Sequence, residues 1–354
     1  MEEIRSVFQR AAAAEDAVEG VVAERELENS LRPRVFSEFV GQARTVENLR
    51  VAIAAARVRK EAPDHILFSG PPGLGKTSLA RIVAAELGSN LHSTTGPALE
   101  RARDLVGILT HLKRGDVIFI DEIHRVPAAV EEYLYTAMED FAVDLTLDQG
   151  ANARVLKLTL EPFTLIGATT REGLLSAPFR GRFGHLERLD AYPADELVEI
   201  LARSARILEV QIGADALAVI AGRSRGTPRI ANRFLRRVRD LAQVERKQKV
   251  DVELAVAALA RLGVDERGLE EMDRRILRCL ADARGEPVGL KTLAAAIGES
   301  EDTIEEVFEP HLLRTGLIQK TARGRTLSEL GARSLGLDPK HVLRPPSAAG
   351  DLYA

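Results

Sequence analysis

The sequence is poor in cysteine and in aromatic residues. Its 354 residues include one cysteine, Cys279, and no tryptophan, and aromatic residues make up 4%. A single cysteine excludes a disulfide framework and a cysteine-based metal site, and the apolar helical pattern around Cys279 indicates core packing. The sequence also lacks the apolar run of about 18 residues that a membrane-spanning helix needs, and Met1–Arg5 does not begin a secretory signal. We therefore expect a protein of the reducing cytoplasm.

A strong excess of charge of either sign is also missing. The formal net charge is −4, and charged residues make up 29% of the chain. This balance excludes a surface that is positive everywhere, but a local basic patch would still bind nucleic acid. The hydrophobic fraction of 45% is typical of a globular protein, and the length suggests two or three domains.

The most informative segment is Gly70–Thr77, which reads GPPGLGKT. An apolar run precedes it and the helical pattern Ser78–Leu87 follows it, so it has the strand, turn and helix context of a phosphate-binding loop. Backbone N–H groups at glycines such as Gly73 and Gly75 curl around phosphate, and the helix dipole adds positive potential. We expect Lys76 to reach the β- and γ-phosphates and Thr77 to hold Mg²⁺.

Polar residues follow two further buried strands. Val117–Ile120 is an apolar run that ends in Asp121 and Glu122, and Phe163–Ala168 is followed by Thr169-Thr170-Arg171. Parallel strands gather ligands at their carboxyl ends. We expect Asp121 to complete the Mg²⁺ shell, mostly through water, and Glu122 to orient and activate the attacking water. Three such strands alternating with helices predict an α/β fold with a doubly wound parallel sheet.

Between these strands the pattern changes to an alternation of polar and apolar residues. The stretches 143–147 and 154–160 alternate with a period of two around a turn that contains Gly150 and Asn152. This pattern predicts a β-hairpin inserted before the third buried strand.

The remaining segments indicate a modular chain. All-helical patterns follow Tyr192, and three later helical patterns precede two short strands, which is the winged-helix arrangement. The predicted helices are Asp273–Ala283, Leu290–Ile297 and Thr303–Leu313, with strands at 317–321 and 325–327. We expect a flexible N-terminal arm (1–30), a large ATPase domain (31–192), a small helical lid (193–263), a winged-helix domain (264–337) and a disordered tail (338–354).

These residues together resemble the RuvB family, the bacterial Holliday-junction branch-migration motors of the AAA+ class. The likeness runs from about Leu31 to Leu337, and its segments are longer than the phosphate loop: 64–67, 115–125, 137–141, 163–171, 226–233, 263–265 and 271–275. It implies an AAA+ sheet with a helical lid, a homohexameric ring, and ATP or ADP with Mg²⁺ at each subunit interface. It also implies an ATPase that pulls duplex DNA through the ring in recombination and repair.

The resemblance gives roles to three catalytic positions. Thr170 resembles sensor 1, which lies near the γ-phosphate, and Arg229 resembles sensor 2 on the lid. Arg182 resembles the arginine finger that enters a neighbour's site and stabilises transition-state charge, with Arg180 as the competing candidate.

Further nucleotide contacts also follow from the resemblance. Those around the base, sugar and phosphates are Leu31, Arg32, Ser78 and Tyr192, and a segment near the base of the hairpin comprises Glu139, Asp140 and Phe141.

The macromolecular contacts are implied in the same way. Lys320 and Arg325 match DNA-contacting positions, and with Arg323 they lie in the stretch 314–333, which has five basic residues and one acidic residue. Such a patch binds phosphate without reading sequence. The hairpin matches the element that binds the junction-recognition partner RuvA, with RuvC in the wider complex; the hairpin residues are Val143, Leu145, Leu147, Val155, Leu156 and Leu158.

The chain departs from the family pattern at a few positions. Gly181 stands where an acidic or polar residue is usual, Ser78 where a second threonine is common, and Lys320 where arginine is common, which keeps the charge but loses the fork geometry. Two other functions remain open at this point: another AAA+ DNA machine such as a clamp loader, and a winged-helix regulator whose NTPase domain is a switch.

Overall fold

The computed structural model describes residues 26–146 and 155–343, and a five-stranded parallel sheet is the centre of its first half. The strands lie in the order β2-β3-β6-β1-β7, and all neighbours are parallel. Their bounds are β1 (Ile66–Ser69), β2 (Leu91–Thr95), β3 (Val117–Asp121), β6 (Thr164–Thr169) and β7 (His185–Arg188), while β4 (Ala142–Thr146) and β5 (Val155–Thr159) pair separately.

Helices cover both faces of this sheet. They are α1 (26–31), α2 (Ala43–Arg59), α3 (Lys76–Leu87), α4 (Ala102–Leu109), α5 (Ala128–Asp140) and the short α6 (Ala177–Arg180). Side chains alternate along β1, so Ile66 and Phe68 join a core with α2 and α3, whereas Leu67 joins a second core with α4 and α5. The predicted doubly wound α/β sheet is confirmed.

Two of the five strands were not predicted. The sequence of β2 is Leu-His-Ser-Thr-Thr and it is only half-buried, and β7 lies at the sheet edge with mostly exposed side chains. Neither strand is a continuous apolar run, because part of each strand is exposed to solvent and polar side chains are tolerated there. The three strands that were predicted are the three central ones.

The inserted hairpin is confirmed. Strands β4 and β5 are antiparallel, with Val143 opposite Leu158 and Leu145 opposite Leu156. The predicted turn and Leu147 lie outside the described residues.

An all-helical unit follows the sheet, as predicted. It consists of α7 (Ala194–Ile207), α8 (Ala214–Arg223), α9 (Pro228–Val244) and α10 (Val252–Arg261). Its apolar side chains, among them Leu201 and Phe234, are continuous with the core under α2 and α3. The lid therefore packs directly on the phosphate-loop side of the sheet.

The last unit has its own apolar core and the predicted winged-helix order. Its elements are α11 (Glu271–Asp282), α12 (Leu290–Ile297), α13 (Glu301–Thr303), a π-helical turn (Ile304–Phe308), α14 (Glu309–Arg314), β8 (Ile318–Thr321), β9 (Gly324–Leu327) and α15 (Glu329–Ser334). Pro310 has no N–H to donate to the carbonyl four residues earlier, and the helix widens into the π turn just before it.

The ends of the described chain differ in part from expectation. A final helical turn, α16 (Pro339–Val342), lies inside the segment predicted to be disordered, with Asp338 capping it. That prediction is wrong for this turn, and residues 1–25 and 344–354 lie outside the description. Within residues 26–146 and 155–343, the helices are too short or too polar to cross a membrane.

Candidate active site

A cavity of about 440 Å³ lies at the carboxyl end of the sheet, between the phosphate loop and the lid. This volume is in the range of small-molecule sites. The structure brings most of the predicted nucleotide residues together on its walls: Leu31, Arg32, Gly73, Gly75, Lys76, Thr77, Ser78, Asp121, Glu122, Tyr192 and Arg229. The walls come from four parts of the chain that are far apart in sequence: 28–40, 72–78, 121–122 and 192–236.

The phosphate loop holds its lysine in place. Helix α3 begins at Lys76, directly after Gly75, whose φ is 106°. The buried Lys76 Nζ donates hydrogen bonds to the carbonyls of Gly70 at 2.6 Å and Pro71 at 2.9 Å. Burial lowers the pKa of Lys76, and the carboxylates at the end of β3 oppose that change. A phosphate oxygen would therefore meet a pre-oriented ammonium group at the helix N-terminus.

The lid contacts the phosphate loop at Gly73, where there is no room for a side chain. A Cβ added at Gly73, which has φ of +80°, would lie 2.7 Å from Cγ2 of Thr227 and 3.0 Å from Cβ of Arg229. The Arg229 N–H approaches the Gly73 carbonyl at 3.4 Å. This close approach fixes the start of α9 against the loop and places Arg229 on the cavity wall.

Glu122 lies at the centre of a hydrogen-bonded group. Its φ is 51°, an uncommon value for a residue other than glycine. Its carboxylate accepts a 3.4 Å hydrogen bond from the Thr170 hydroxyl and lies 3.4 Å from Nε2 of His124, whose Nδ1 is 2.9 Å from the Thr169 hydroxyl. Burial, followed by the charge of Asp121, raises the pKa of Glu122. A carboxylate with a raised pKa is a stronger base toward a water molecule.

The oxygen ligands in the cavity fit Mg²⁺ bound together with a nucleotide. Thr77 and Asp121 both line the cavity. Mg²⁺ at phosphate sites uses one or two protein oxygens and completes its shell with phosphates and water. Groups of three or more His, Cys, Asp or Glu side chains that could hold a metal ion are absent from the described ranges.

Arg182 and the segment 139–141 lie elsewhere. Arg182, Glu139, Asp140 and Phe141 do not line the cavity, and Arg182 instead forms a 3.2 Å ion pair with Glu139. The expectation that 139–141 contributes to the pocket is therefore wrong for the pocket within one chain. Because Glu139 contacts the predicted finger, this segment and Arg182 form one surface. The rival finger Arg180 pairs with Glu172.

Sequence reasoning missed several residues on the cavity wall. Asn232 and Arg236 line it and lie three and seven residues after Arg229. This is the spacing of residues on one helix face, so the sequence of α9, once predicted to be helical, could have indicated both residues. Arg203 also lines it and donates to the Leu31 carbonyl at 2.7 Å and to Glu38 at 3.0 Å, tying the lid to the N-terminal segment. Nothing in the sequence pattern marks Arg203.

The predicted DNA residues face carboxylates of their own domain. Lys320 lies 3.0 Å from Glu305. Arg325 is buried, with 6% of its surface exposed, and it is paired with Glu309 and, at 3.2 Å, with Glu305. The structure therefore contradicts Arg325 as an accessible contact. Arg323 is exposed, and no ion pair involves it in the part of the chain that the structure describes.

The predicted partner-binding hairpin residues are also not equivalent. Val143 is fully buried in the core and Leu158 packs against that core, whereas Leu156 is exposed. The expectation that Val143 presents its side chain to a partner is therefore wrong. Leu145 and Val155 are placed here only by their strand register.

Two further contacts join the winged-helix unit to the rest of the chain. Arg171, next to Thr170, lies 2.8 Å from both Asp302 and Glu306. On the lid side, Arg225 forms a buried 2.6 Å ion pair with Asp273, which is fully buried. The winged helix thus contacts both the carboxyl end of β6, next to Thr170, and the loop just before α9.

Comparison with known proteins identifies this arrangement. Three family models match in succession: the Holliday junction DNA helicase RuvB P-loop domain over 31–189, the RuvB AAA lid domain over 192–265 and the RuvB C-terminal winged helix domain over 266–336.

The chain is 56% identical to the Holliday junction branch migration complex subunit RuvB of Myxococcus xanthus over 92% of this chain and 94% of the relative. It is 54% identical to that of Chloroflexus aurantiacus over 94% and 95%. The solved structure of the Thermotoga maritima RuvB Holliday junction branch migration motor matches with a TM-score of 0.81 at 46% identity, over 87% of this chain and 99% of that one. The chain belongs to the RuvB family of AAA+ ATPases.

Proposed function

We propose that this chain is the ATP-driven motor of Holliday-junction branch migration and that it works as a homohexameric ring that pulls duplex DNA. The observation that carries the proposal is the joining, in one chain, of the phosphate-loop cavity, a lid that contacts Gly73, and a winged helix held to that lid by the Arg225–Asp273 pair. The relatives named above align with 87 to 94% of this chain. Because the proposed substrate is DNA and the relatives named above are bacterial, we propose that it works in the cytoplasm.

The chemistry is phosphoryl transfer from ATP to water. Lys76 and Arg229 would bind the phosphates and offset the charge that develops on them. Glu122 would take a proton from water as the water oxygen bonds to the γ-phosphorus and the bond to the ADP oxygen breaks, with Thr170 orienting the Glu122 carboxylate. Thr77 and Asp121 would hold Mg²⁺, which when bound neutralises part of the phosphate charge.

The neighbouring subunit would complete the site. Arg182 and the segment 139–141 lie together outside the cavity of their own chain, as groups that act on a neighbour's nucleotide must. An arginine supplied from outside contributes to transition-state stabilisation by large factors, about 10³ to 10⁵ in known cases.

Motion would pass from the lid to the DNA-binding unit through a short rigid path. Arg229 is the second residue of α9 and Arg225 lies four residues before it, so a shift of α9 would move the buried Arg225–Asp273 pair and the winged helix with it. Lys320 and Arg323 would bind duplex phosphates without reading sequence. The hairpin, with the exposed Leu156, would dock RuvA, and RuvC would join the wider complex.

The test is ATPase activity and branch migration with and without a four-way DNA junction and RuvA. A motor hydrolyses ATP faster with junction DNA and RuvA and converts the junction to products. A clamp loader would show no branch migration, and a winged-helix regulator would bind one duplex far more tightly than unrelated ones.

The trans finger has its own test. Rings of Arg182→Ala subunits and rings of Lys76→Ala subunits should each be inactive, while mixed rings regain ATPase because one subunit supplies the finger and its neighbour the intact pocket. If no mixing ratio restores activity while assembly is intact, Arg182 is not a trans finger.

A further inference from the structure

Arg182 is enclosed on three sides within its own subunit. Its guanidinium carbon lies 4.2 Å from the centroid of the Tyr135 ring, its Nη1 donates to the Pro178 carbonyl at 2.7 Å, and its Nη2 lies 3.2 Å from Glu139. The side chain is 19% exposed. A long arginine is thus held in one place although it does not line the cavity of its own chain.

The Tyr135 ring is itself immobilised. Its hydroxyl donates to the Glu131 carboxylate one turn earlier on α5 and lies 3.1 Å from the Ser176 hydroxyl, which donates to the same carboxylate at 2.9 Å. The ring also packs against buried Phe179, with centroids 5.6 Å apart. These contacts join α5 to the start of α6 and fix the plane on which Arg182 lies.

The residue before Arg182 is Gly181, which has no side chain that could help to orient the arginine. Gly181 has φ of −63°, and a Cβ there would be 3.5 Å from the nearest atom, so the backbone does not require glycine. The position thus contributes no side-chain hydrogen bond to its neighbour. The direction of Arg182 depends on contacts from α5 and from Pro178.

The two contacts that α5 makes with Arg182 differ in which hydrogen-bond donors of the arginine they leave available for phosphate. The Tyr135 ring lies against the guanidinium carbon and accepts no hydrogen bond from Arg182, so this contact leaves the N–H donors available to phosphate oxygens, apart from Nη1, which donates to the Pro178 carbonyl. Glu139 uses an edge donor, and its side chain is 57% exposed, so this ion pair is weak and would be exchanged for phosphate. Of the two contacts from α5, the one with the Tyr135 ring can persist while the arginine binds a phosphate, together with the hydrogen bond from Nη1 to the Pro178 carbonyl.

We propose that Tyr135 is a positioning residue that presents Arg182 to the nucleotide of the neighbouring subunit by stacking on its guanidinium face. This inference rests on the proposed role of Arg182 as the finger. Tyr135 does not line the cavity of its own chain, so its loss would be felt in the adjacent subunit and not in its own pocket.

The experiment compares Tyr135→Leu, Tyr135→Phe and Tyr133→Leu in the assembled ring. Tyr133 is on the same helix and is also half-buried in that core, and so is a matched control. We expect Tyr135→Leu to lower kcat roughly 2- to 30-fold at unchanged KM for ATP, the range of a cation–π contact. Tyr135→Phe keeps the ring and should retain near wild-type kcat, as should Tyr133→Leu.

A mixing experiment separates positioning from damage to the fold. Tyr135→Leu subunits mixed with Lys76→Ala subunits should turn over faster per intact pocket than Tyr135→Leu rings alone, because the neighbour supplies an ordered finger. Tyr133→Leu subunits should show no such gain. If Arg182→Ala regains activity on mixing but Tyr135→Leu does not, the present inference fails while the trans finger stands; if neither does, the finger assignment fails first.

A second series keeps the proposal testable should Tyr135→Leu not assemble. Phenylalanine at position 135 and its tri- and pentafluorinated forms have similar size but a progressively weaker negative ring face. We expect kcat to fall along this series with thermal stability unchanged. A flat series, a rise in kcat on losing the ring, or a Glu139→Gln variant that alone reproduces the full loss would each overturn the role of the ring.

Discussion

The nucleotide cavity and the winged-helix basic patch both contain lysine and arginine, but the two sites differ in whether these side chains are already paired with carboxylates. In the cavity, Lys76 donates to loop carbonyls, and Arg229 lines the wall. In the winged helix, Lys320 and Arg325 are already paired with Glu305 and Glu309. The first site offers its cations to a phosphate; the second has to exchange internal ion pairs to do so.

The reason lies in the local backbone. A glycine-rich loop presents N–H groups and carbonyls, and Lys76 Nζ donates to two of these carbonyls, whereas the carboxylates of Asp121 and Glu122 act on it as charges through space. In the winged helix, Glu305 and Glu309 are four residues apart across the π turn and project toward β8 and β9. The stretch 314–333 is basic by its count of charges, yet Lys320 and Arg325 each form an ion pair with a carboxylate, whereas Lys76 forms none with the residues that the structure describes.

The largest expected effect is in the cavity. Glu122→Gln removes the proposed base and keeps the shape of the side chain, so we expect ATP binding to persist and kcat to fall about 10² to 10⁴-fold, the usual contribution of general base catalysis. Steady-state ATPase and binding of a fluorescent ATP analogue measure the two quantities. A turnover rate equal to wild type would remove Glu122 from the role of base.

Next in size is the buried pair of the winged helix. Arg325→Ala leaves the carboxylate of Glu309, which is 2% exposed, without its partner, and we expect a loss of about 3 to 5 kcal/mol in unfolding free energy. The exposed Arg323→Ala should change it by less than about 0.5 kcal/mol. Calorimetry of the winged-helix transition measures both. Equal stability of the two variants would contradict the structural role of Arg325.

A smaller effect is expected on DNA binding. Lys320→Ala should weaken binding to unrelated duplexes alike and lower the slope of log affinity against log salt by about 1. Glu305→Gln removes the competing carboxylate and should strengthen binding. Fluorescence anisotropy over a salt series measures both. If Glu305→Gln leaves affinity unchanged, the internal pair does not compete with phosphate.

The smallest effect joins the two regions. Burial raises the pKa of Glu122, and Glu306 of the winged helix adds to this shift. Because the base must be ionised, kcat should fall as pH decreases, with a midpoint above the usual glutamate value of 4.5. Removing the charge in Glu306→Gln should move that midpoint downward.

The control for this shift is Glu301→Gln, which alters an exposed carboxylate in the same helical segment that does not contribute to the pKa of Glu122. Identical pH profiles for wild type and Glu306→Gln would mean that the winged helix does not influence the catalytic carboxylate.

Much of the fold was predictable where one signal dominated. The three central strands are continuous apolar runs because both faces are buried, and the hairpin and the winged helix follow their periodicities. The edge strand β7 and the half-buried β2 were missed because partial exposure relaxes the composition that marks a strand. The loop residues were predicted because their chemistry is local to eight consecutive positions.

The sequence by itself determined the phosphate loop, the carboxylates after β3 and the order of the three units, since each depends on residues close together in the chain. The tertiary structure decided which charges are available. It buried Arg325 against Glu309, placed Arg182 on Tyr135, and brought Arg203 and Asn232 to the cavity wall. These outcomes depend on contacts between segments that are distant in sequence, and a one-dimensional pattern does not contain the distances that set burial and ion pairing.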